Sequence, residues 1–385
     1  MNTEFDDIRP YNDDEIKQVV EELLRDRQFS RILKGLAPWL PQGLRNAIIR
    51  AAFIGVNSSL DFQKRFMKPV VRYVIHRCTR KTTFDHTGIQ PGNERFTFIS
   101  NHRDIVLDSA FLSLLLVNAK FPTTCEIAIG DNLLIYPWIK KLVKLNKAFT
   151  VHRGLSPREL LESSMLMSRY MHYAINEKKE NIWIAQREGR AKDSNDRTQE
   201  SVLKMLAMGG EGSPVERLKH LHITPLTISY EYDPCDYLKA KEFQQKRDNP
   251  SFKKSKQDDL DNMKTGIWGQ KGHVHYQTAP CINTWIDELA LLPKTELFGE
   301  VARRIDREIH KGYMLFPGNY VALDLLQGNT AHKEHYSEKD KETFEKYIRQ
   351  RIDMIDLPQK DDAFLREKLL AMYANPVINK EAAIG

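Results

Sequence analysis

Residues 96–115 read FTFISNHRDIVLDSAFLSLL, and the fold prediction starts from this stretch. Its first part, 96–99, is apolar and aromatic, which is typical of a strand in a buried sheet. A polar turn at 100–102 follows, and an apolar helix is predicted from about Asp108 onward. A strand, a polar turn and a helix form the repeating unit of α/β folds, in which the turn carries side chains beyond the carboxyl end of the strand.

The turn after this strand combines an imidazole with carboxylates, His102 with Asp104 and Asp108. A carboxylate beside a histidine accepts one ring N–H, which fixes the tautomer and leaves the other nitrogen free as a base. The same residues also fit a purely structural interpretation, in which Asp104 or Asp108 caps the helix and His102 is a polar turn residue. The residues of the turn alone leave both interpretations open.

The chain around this unit alternates short apolar runs with segments of helical periodicity. Strands are predicted at 82–84, 96–99, 125–129, 148–151, 181–185, 222–230 and 272–278. This alternation predicts an α/β fold with a mixed, mostly parallel sheet flanked by helices. The predicted regions are an N-terminal helical region at 1–81, an α/β domain at 82–290 and a helical C-terminal region at 291–385.

The composition is that of an ordinary globular protein, with a net charge of +6 over 385 residues. No apolar run reaches the roughly 18 residues that a membrane-spanning helix needs. The acidic start is not a signal peptide, so we expect a cytoplasmic protein. The cysteines are scattered without metal-ligand spacing, so we expect reduced thiols and no metal. They are Cys78, Cys125, Cys235 and Cys281.

The N-terminal region has amphipathic helical patterns in a segment rich in lysine and arginine. Its apolar side chains recur at spacings of four, at Phe62, Phe66, Val70 and Val74, and Trp39 and Leu40 lie upstream between two prolines. Such helices fit a peripheral anchor on the anionic phospholipid surface of the inner face of the membrane. A helical cap packed on the main domain is the alternative. Nucleic acid is not an expected partner, because no recognisable binding module is present.

Polar residues follow two further predicted strands. Arg153 follows the strand at 148–151, and Glu188, Gly189 and Arg190 follow the strand at 181–185, with Arg187 and Lys192 adjacent. Because the carboxyl ends of parallel strands meet at one edge of the sheet, these groups are expected in one crevice with His102. Guanidinium groups bind phosphate oxygens in a bidentate way, and a glycine lets the backbone approach a ligand.

A base beside a phosphate-binding wall predicts that the hydroxyl of a phosphorylated acceptor is deprotonated for attack. The sequence contains no G-x-S-x-G, no P-loop and no G-x-G-x-x-G. Direct transfer is therefore favoured over a covalent enzyme intermediate.

The motifs NHRDIVLD at 101–108, FTVHR at 149–153, EGR at 188–190 and ITPLT at 223–227 resemble, in this order, the four blocks of the glycerolipid acyltransferase family. That family contains the glycerol-3-phosphate and 1-acylglycerol-3-phosphate acyltransferases. The resemblance covers about residues 96–233. It implies transfer of a fatty acyl group from acyl-CoA or acyl-carrier protein to a glycerol-phosphate-type acceptor, without a metal.

The resemblance also implies roles for individual residues. His102 would be the general base and Asp108 its acidic partner, with backbone N–H groups near 103–108 available to stabilise the oxyanion. Arg153 would bind the acceptor phosphate, and Glu188 and Gly189 would shape the acceptor site. Pro225, in the fourth block, would shape the acyl or acceptor pocket.

Two departures from the family pattern affect these roles. The family places four residues between its histidine and aspartate, whereas five separate His102 from Asp108. On a regular helix the extra residue would rotate the carboxylate by about 100°, so a non-helical turn is required for contact, and Asp104 is the fallback partner.

The second departure lies in the third block, which usually reads Glu-Gly-Thr-Arg but here lacks the threonine. Arg190 takes one of the two last positions, and Arg187 or Lys192 could supplement it. The alternatives to a glycerol-phosphate acyltransferase are an enzyme for a different lipid acceptor and a catalytically silent membrane-binding protein of the same fold.

Overall fold

The computed structural model describes residues 3–36, 41–134 and 136–385. Within these residues, seven strands form one sheet in the order β1-β7-β6-β2-β5-β3-β4. All neighbouring strands are parallel except the antiparallel pair β6 and β7. The predicted mixed, mostly parallel α/β fold is confirmed. The strands are β1 (Lys81–Asp85), β2 (Thr97–Ser100), β3 (Cys125–Gly130), β4 (Ala148–Val151), β5 (Asn181–Ala185), β6 (Ile223–Tyr230) and β7 (His273–Thr278).

Helices precede the sheet, connect its strands and follow it. The N-terminal helices are α1 (Asp13–Arg25), α2 (Arg27–Leu36), α3 (Gln42–Phe53), α4 (Ser59–Phe62) and α5 (Lys68–Cys78), with a π-helical turn at Gln63–Met67. The connecting helices are α6 (Leu107–Asn118), α7 (Pro137–Leu145), α8 (Pro157–Asn176), α9 (Glu200–Leu206), α10 (Pro214–His220), α11 (Asp236–Asp248) and α12 (Lys256–Trp268). The C-terminal helices are α13 (Lys294–Lys311), α14 (Pro317–Gln327), α15 (Glu338–Asp353) and α16 (Asp362–Ile384).

Both faces of the sheet are covered by apolar side chains, because successive residues of a strand point to opposite faces. On one face, Ile99, Ile184 and Ile223 pack with apolar residues of α8, α9, α10 and α13. On the other face, Phe98, Trp183 and other strand residues pack with α5 and α6. We call the second surface the α6 face of the sheet. Burial on both faces explains why the central strands are continuous apolar runs.

The N-terminal helices form a hydrophobic cluster together with α7. Phe62 has no exposed surface, and Phe66 and Val74 are also buried, while Val70 is partly buried. Phe62, Phe66 and Val70 therefore belong to a helical cap, and Val74 packs in the core on the α6 face, so these side chains are not available as membrane anchors. Trp39 and Leu40 lie outside the described residues.

The hydrophobic cores cross the boundaries predicted between the three regions. Phe5 and Ile8 of the N-terminal segment pack under the sheet, and the backbone N–H of Thr150 in β4 donates to the Ile8 carbonyl (2.9 Å). Helix α13, beyond residue 290, contributes Val301 and Ile305 to the same core. The division into three domains remains a prediction.

Candidate active site

The first block forms a contact between His102 and Asp108. Nδ1 of His102 lies 2.8 Å from Oδ2 of Asp108, and the Asp108 carboxylate is fully buried. Residues 101–106 are non-helical and α6 begins only at Leu107. This turn accommodates the fifth intervening residue, because it removes the rotation that a regular helix would impose.

Several donors hold the Asp108 carboxylate. Its Oδ2 also accepts the backbone N–H groups of Arg103 (2.6 Å) and Asp104 (3.1 Å), while its Oδ1 accepts the hydroxyl of Tyr230 (3.0 Å). An ionised carboxylate only accepts hydrogen bonds, so Nδ1 of His102 carries the proton and donates. The Nε2 atom of His102 then keeps its lone pair, as a general base requires.

Asp104 caps helix α6 and does not contact the imidazole. Its Oδ1 accepts the backbone N–H groups of Val106 (2.9 Å) and Leu107 (2.8 Å). Burial, and next the negative charge of Asp108, raise the pKa of Asp104. The structure therefore pairs His102 with Asp108.

Four of the expected oxyanion donors near 103–108 are engaged elsewhere. The N–H groups of Arg103 and Asp104 bind Asp108, and those of Val106 and Leu107 bind Asp104. These four groups are therefore not free for a substrate oxygen, and within 103–108 only the N–H groups of Ile105 and Asp108 stay a prediction as oxyanion donors.

The strand ends around His102 supply two contacts that sequence reasoning missed. The Trp183 ring packs edge-on against His102, with 5.5 Å between ring centroids, and its Nε1 donates to the Ser100 hydroxyl (3.0 Å). The Asn101 side chain bonds both the N–H and the carbonyl of Ile228 (2.8 Å each), which locks the end of β2 to β6. The sequence signal that could have placed Trp183 is its position between Ile182 and Ile184 in β5. Because successive residues of a strand point to opposite faces, Trp183 lies on the α6 face.

The second and third blocks meet at the surface. Arg153, after β4, forms an ion pair with Glu188, after β5, and both side chains are more than a third exposed. Gly189 has φ +70°, and a Cβ there would meet no atom within 4 Å. A glycine is favoured here because the backbone is in the left-handed region. It is not required by crowding, since no protein atom lies close to the position of a Cβ.

Arg190 and Lys192 point towards the α11–α12 insertion between β6 and β7. Arg190 Nη2 donates to the Asn262 side chain of α12 (3.0 Å), and Lys192 forms an ion pair with Glu242 of α11. Arg187 differs from these two residues, because it forms no hydrogen bond or ion pair within the described part of the chain. Arg187 thus remains the cationic side chain of this block without a protein partner.

Pro225 lies inside the sheet. It pairs in register with Ile99 of β2, and its carbonyl accepts the N–H of Ala279 (2.9 Å). Alternation along β6 places Pro225 with Ile223 on the face opposite α6, whereas Tyr230 points to Asp108. This position does not put Pro225 in a pocket beside His102.

Comparison with known proteins assigns the region that contains these motifs. Residues 77–228 match the family model described as Acyltransferase. This match shows that the region is an acyltransferase domain, in agreement with the resemblance noted in the sequence. The protein is accordingly an acyltransferase.

A solved structure titled as the 1-acyl-sn-glycerophosphate (LPA) acyltransferase PlsC from Thermotoga maritima is similar, with a TM-score of 0.40 and 10% identity, over 78% of this chain and 99% of that chain. No curated protein sequence matches the chain significantly.

Proposed function

We propose that the protein transfers a fatty acyl group from acyl-CoA or acyl-carrier protein to the hydroxyl of 1-acylglycerol-3-phosphate or glycerol-3-phosphate. The observation that carries this proposal is the 2.8 Å contact between His102 and the buried Asp108 at the carboxyl end of β2. It gives the acyltransferase domain a base of defined tautomer. The alternative of a catalytically silent protein loses its main support, because the longer spacing still allows this contact.

In the proposed mechanism, Nε2 of His102 removes the acceptor hydroxyl proton as the oxygen attacks the thioester carbonyl. The imidazolium that forms is stabilised by the Asp108 carboxylate. The tetrahedral intermediate then releases the thiolate of the donor, which takes the proton back from His102. No bond to the enzyme is formed, in keeping with the absence of a nucleophile motif.

The acceptor phosphate is proposed to bind Arg187 and Arg153. Arg187 lies two residues after the end of β5, the strand whose Trp183 packs against His102. The Arg153 side chain is 37% exposed, and the acceptor phosphate would displace Glu188 from it. Guanidinium forks suit this task because they bind phosphate oxygens in pairs.

The membrane contact is proposed at the outer face of α3. Leu44 and Ile48 lie one helical turn apart on this helix, and both are about half exposed. Between residues 27 and 81 the only acidic residue is Asp61, among many lysines and arginines. An apolar helix face in a basic region fits an anionic lipid surface. No helix within the described ranges is long and apolar enough to cross a membrane.

The test is acyl transfer by purified protein with vesicles that contain phosphatidylglycerol. Labelled long-chain acyl-CoA and acyl-carrier protein are each offered with glycerol-3-phosphate and with 1-acylglycerol-3-phosphate. We expect one acceptor to be acylated, and the His102→Ala variant to lose at least about 100-fold in kcat, as expected for loss of a general base. The exposed His335→Ala variant in the C-terminal region is the matched histidine control.

Two results would contradict the proposal. A His102→Ala variant as active as the His335→Ala variant would remove His102 from the mechanism. Vesicle binding without transfer to either acceptor would exclude both proposed acceptors. For the membrane contact, Leu44→Asp with Ile48→Asp should abolish vesicle flotation, whereas Leu160→Asp with Leu161→Asp, equally exposed on α8, should not.

A further inference from the structure

A buried ion pair lies directly beside the catalytic turn. Arg103 follows His102 in the chain, and its Nη2 atom is 2.8 Å from Oδ2 of Asp196. The Arg103 side chain is 5% exposed and the Asp196 side chain is fully buried. Burial works against the charge of Arg103, but the attraction of Asp196, followed by that of Tyr313, keeps the pKa of the guanidinium above its ordinary value. The guanidinium therefore stays charged although it is buried.

This ion pair joins three parts of the chain that are distant in sequence. Asp196 belongs to the loop after the third block, and Tyr313 follows α13 in the C-terminal region. The Arg103 guanidinium donates to the Tyr313 hydroxyl (3.1 Å), and the Tyr313 hydroxyl donates to Asp196 (3.3 Å). His310 of α13 donates from Nε2 to the Asp196 carbonyl (3.0 Å). The last turn of α13 is thereby attached to the turn that carries His102.

The backbone of Arg103 is also part of the dyad. Its N–H donates to the same Asp108 oxygen that receives Nδ1 of His102. Residue 103 is therefore held at two points, by Asp108 through its backbone and by Asp196 through its side chain. A displacement of residue 103 would shift both the histidine before it and a donor that orients the carboxylate.

We infer that Arg103 is a positioning residue for His102, with Asp196 and the end of α13 as its support. This inference rests on the proposed role of His102 as the base. A buried ion pair is costly to desolvate, so stability alone does not account well for it, whereas fixing one arrangement of a turn does. The C-terminal region then contributes to the reaction, because contacts from the end of α13 hold the turn that carries His102 in place.

The test compares two pairs of substitutions that each remove a buried ion pair. Arg103→Met with Asp196→Leu keeps apolar volume at the turn. The control, Lys147→Met with Glu180→Leu, removes a buried ion pair (2.7 Å) at the amino ends of β4 and β5. His102 lies at the carboxyl end of β2, so the control pair is at the other ends of the strands. We expect the first variant to lose about 100-fold in kcat, as a misplaced base does, with the acceptor KM within about twofold of wild type. The control should keep its kcat.

Arg103→Lys provides a milder case if the double variant unfolds. It retains the charge opposite Asp196 but loses the planar fork, so we expect a folded protein with a smaller fall in kcat, of about 10-fold. Circular dichroism and urea unfolding establish that each variant is folded. A folded Arg103→Met, Asp196→Leu protein with the kcat of the control, or an Arg103→Lys protein with wild-type kcat, would overturn the inference.

A second readout needs no substrate and separates this inference from the proposed function. Long-range ¹H–¹⁵N correlation of ¹⁵N-histidine protein reports the tautomer of His102, with His102→Gln identifying its signal. We expect the Nδ1–H tautomer in wild type and control, and mixed tautomers when the Arg103–Asp196 pair is removed. Unchanged tautomer in that variant overturns the inference even if acyl transfer is observed. Absence of transfer in wild type with the expected tautomer change contradicts only the proposed function.

Discussion

Replacement of Asp108 by asparagine separates the charge of this residue from its hydrogen bonds. The asparagine oxygen can take the place of Oδ2 and accept His102 Nδ1–H and the N–H groups of Arg103 and Asp104. Its amide nitrogen then lies where Oδ1 meets the Tyr230 hydroxyl and can donate to that oxygen. The fold and the histidine tautomer should both persist; the negative charge opposite the imidazolium is lost, and the Tyr230 hydroxyl proton loses Oδ1 as its acceptor.

The expected cost follows from the bond that changes. A hydrogen bond to a charged group is worth about 1.5–3 kcal/mol, which corresponds to a fall of about 10- to 150-fold in kcat. By contrast, Asp108→Ala leaves the N–H groups of Arg103 and Asp104 and the Tyr230 hydroxyl buried without this acceptor. Each such group costs about 1–3 kcal/mol, so the alanine variant should lose much of the stability of an ordinary protein.

Steady-state acyl transfer and urea unfolding of the Asp108→Asn and Asp108→Ala proteins measure the two effects. We expect the asparagine variant to unfold at a urea concentration near that of wild type and to be slow. A fully active asparagine variant would show that the charge of Asp108 has no part in the reaction. An asparagine variant as unstable as the alanine variant would refute the proposed exchange of hydrogen bonds.

Two further predictions concern the third block and the C-terminal region. Arg187→Gln removes a charge-assisted phosphate contact, so it should raise the acceptor KM by about 10- to 100-fold with little change in stability. Arg190→Gln loses its bond to α12, so it should mainly lower the urea midpoint. If Arg190→Gln raised the acceptor KM and Arg187→Gln lowered the urea midpoint, the two roles would have to be exchanged. The pKa of His332 is raised, chiefly by its hydrogen bond to Asp324. The His332–Asp324 pair should contribute its full stability below a pH of about 6.5, and this contribution should be lost as the pH rises through the raised pKa of His332. Between about pH 6 and pH 8, the urea midpoint of unfolding should therefore fall more in wild type than in His332→Gln.

The strands and the dyad were within reach of sequence reasoning because their signals are local. Strands buried on both faces are short apolar runs, and each ends in a polar turn that marks the carboxyl edge of the sheet. The contact of His102 with Asp108 required only that the five-residue spacing be accommodated by a non-helical turn. The structure provides that turn.

The remaining features depend on contacts between residues far apart in the chain. The amphipathic pattern of Phe62 and Phe66 is the same for a membrane anchor and for a buried cap, and only packing against α1 and α3 distinguishes them. Arg190 turns inward because α12 supplies Asn262. Tyr230 reaches the catalytic turn because β6 lies beside β2 in the sheet, and Asp196 reaches it through the path of a loop. The periodicity of the local sequence predicts neither position.

The position of β7 affects the stability of truncated fragments and the order in which the sheet folds during synthesis. In the sheet order, β1 joins the other strands through β7, and β7 also covers the outer edge of β6. The stretch that carries the recognisable motifs ends within β6, so a fragment cut there would leave β1 without its neighbour and β6 with an open edge, which favours aggregation. During synthesis on the ribosome, β1 must likewise wait until the insertion and β7 have emerged, so completion of the sheet is a late step in folding.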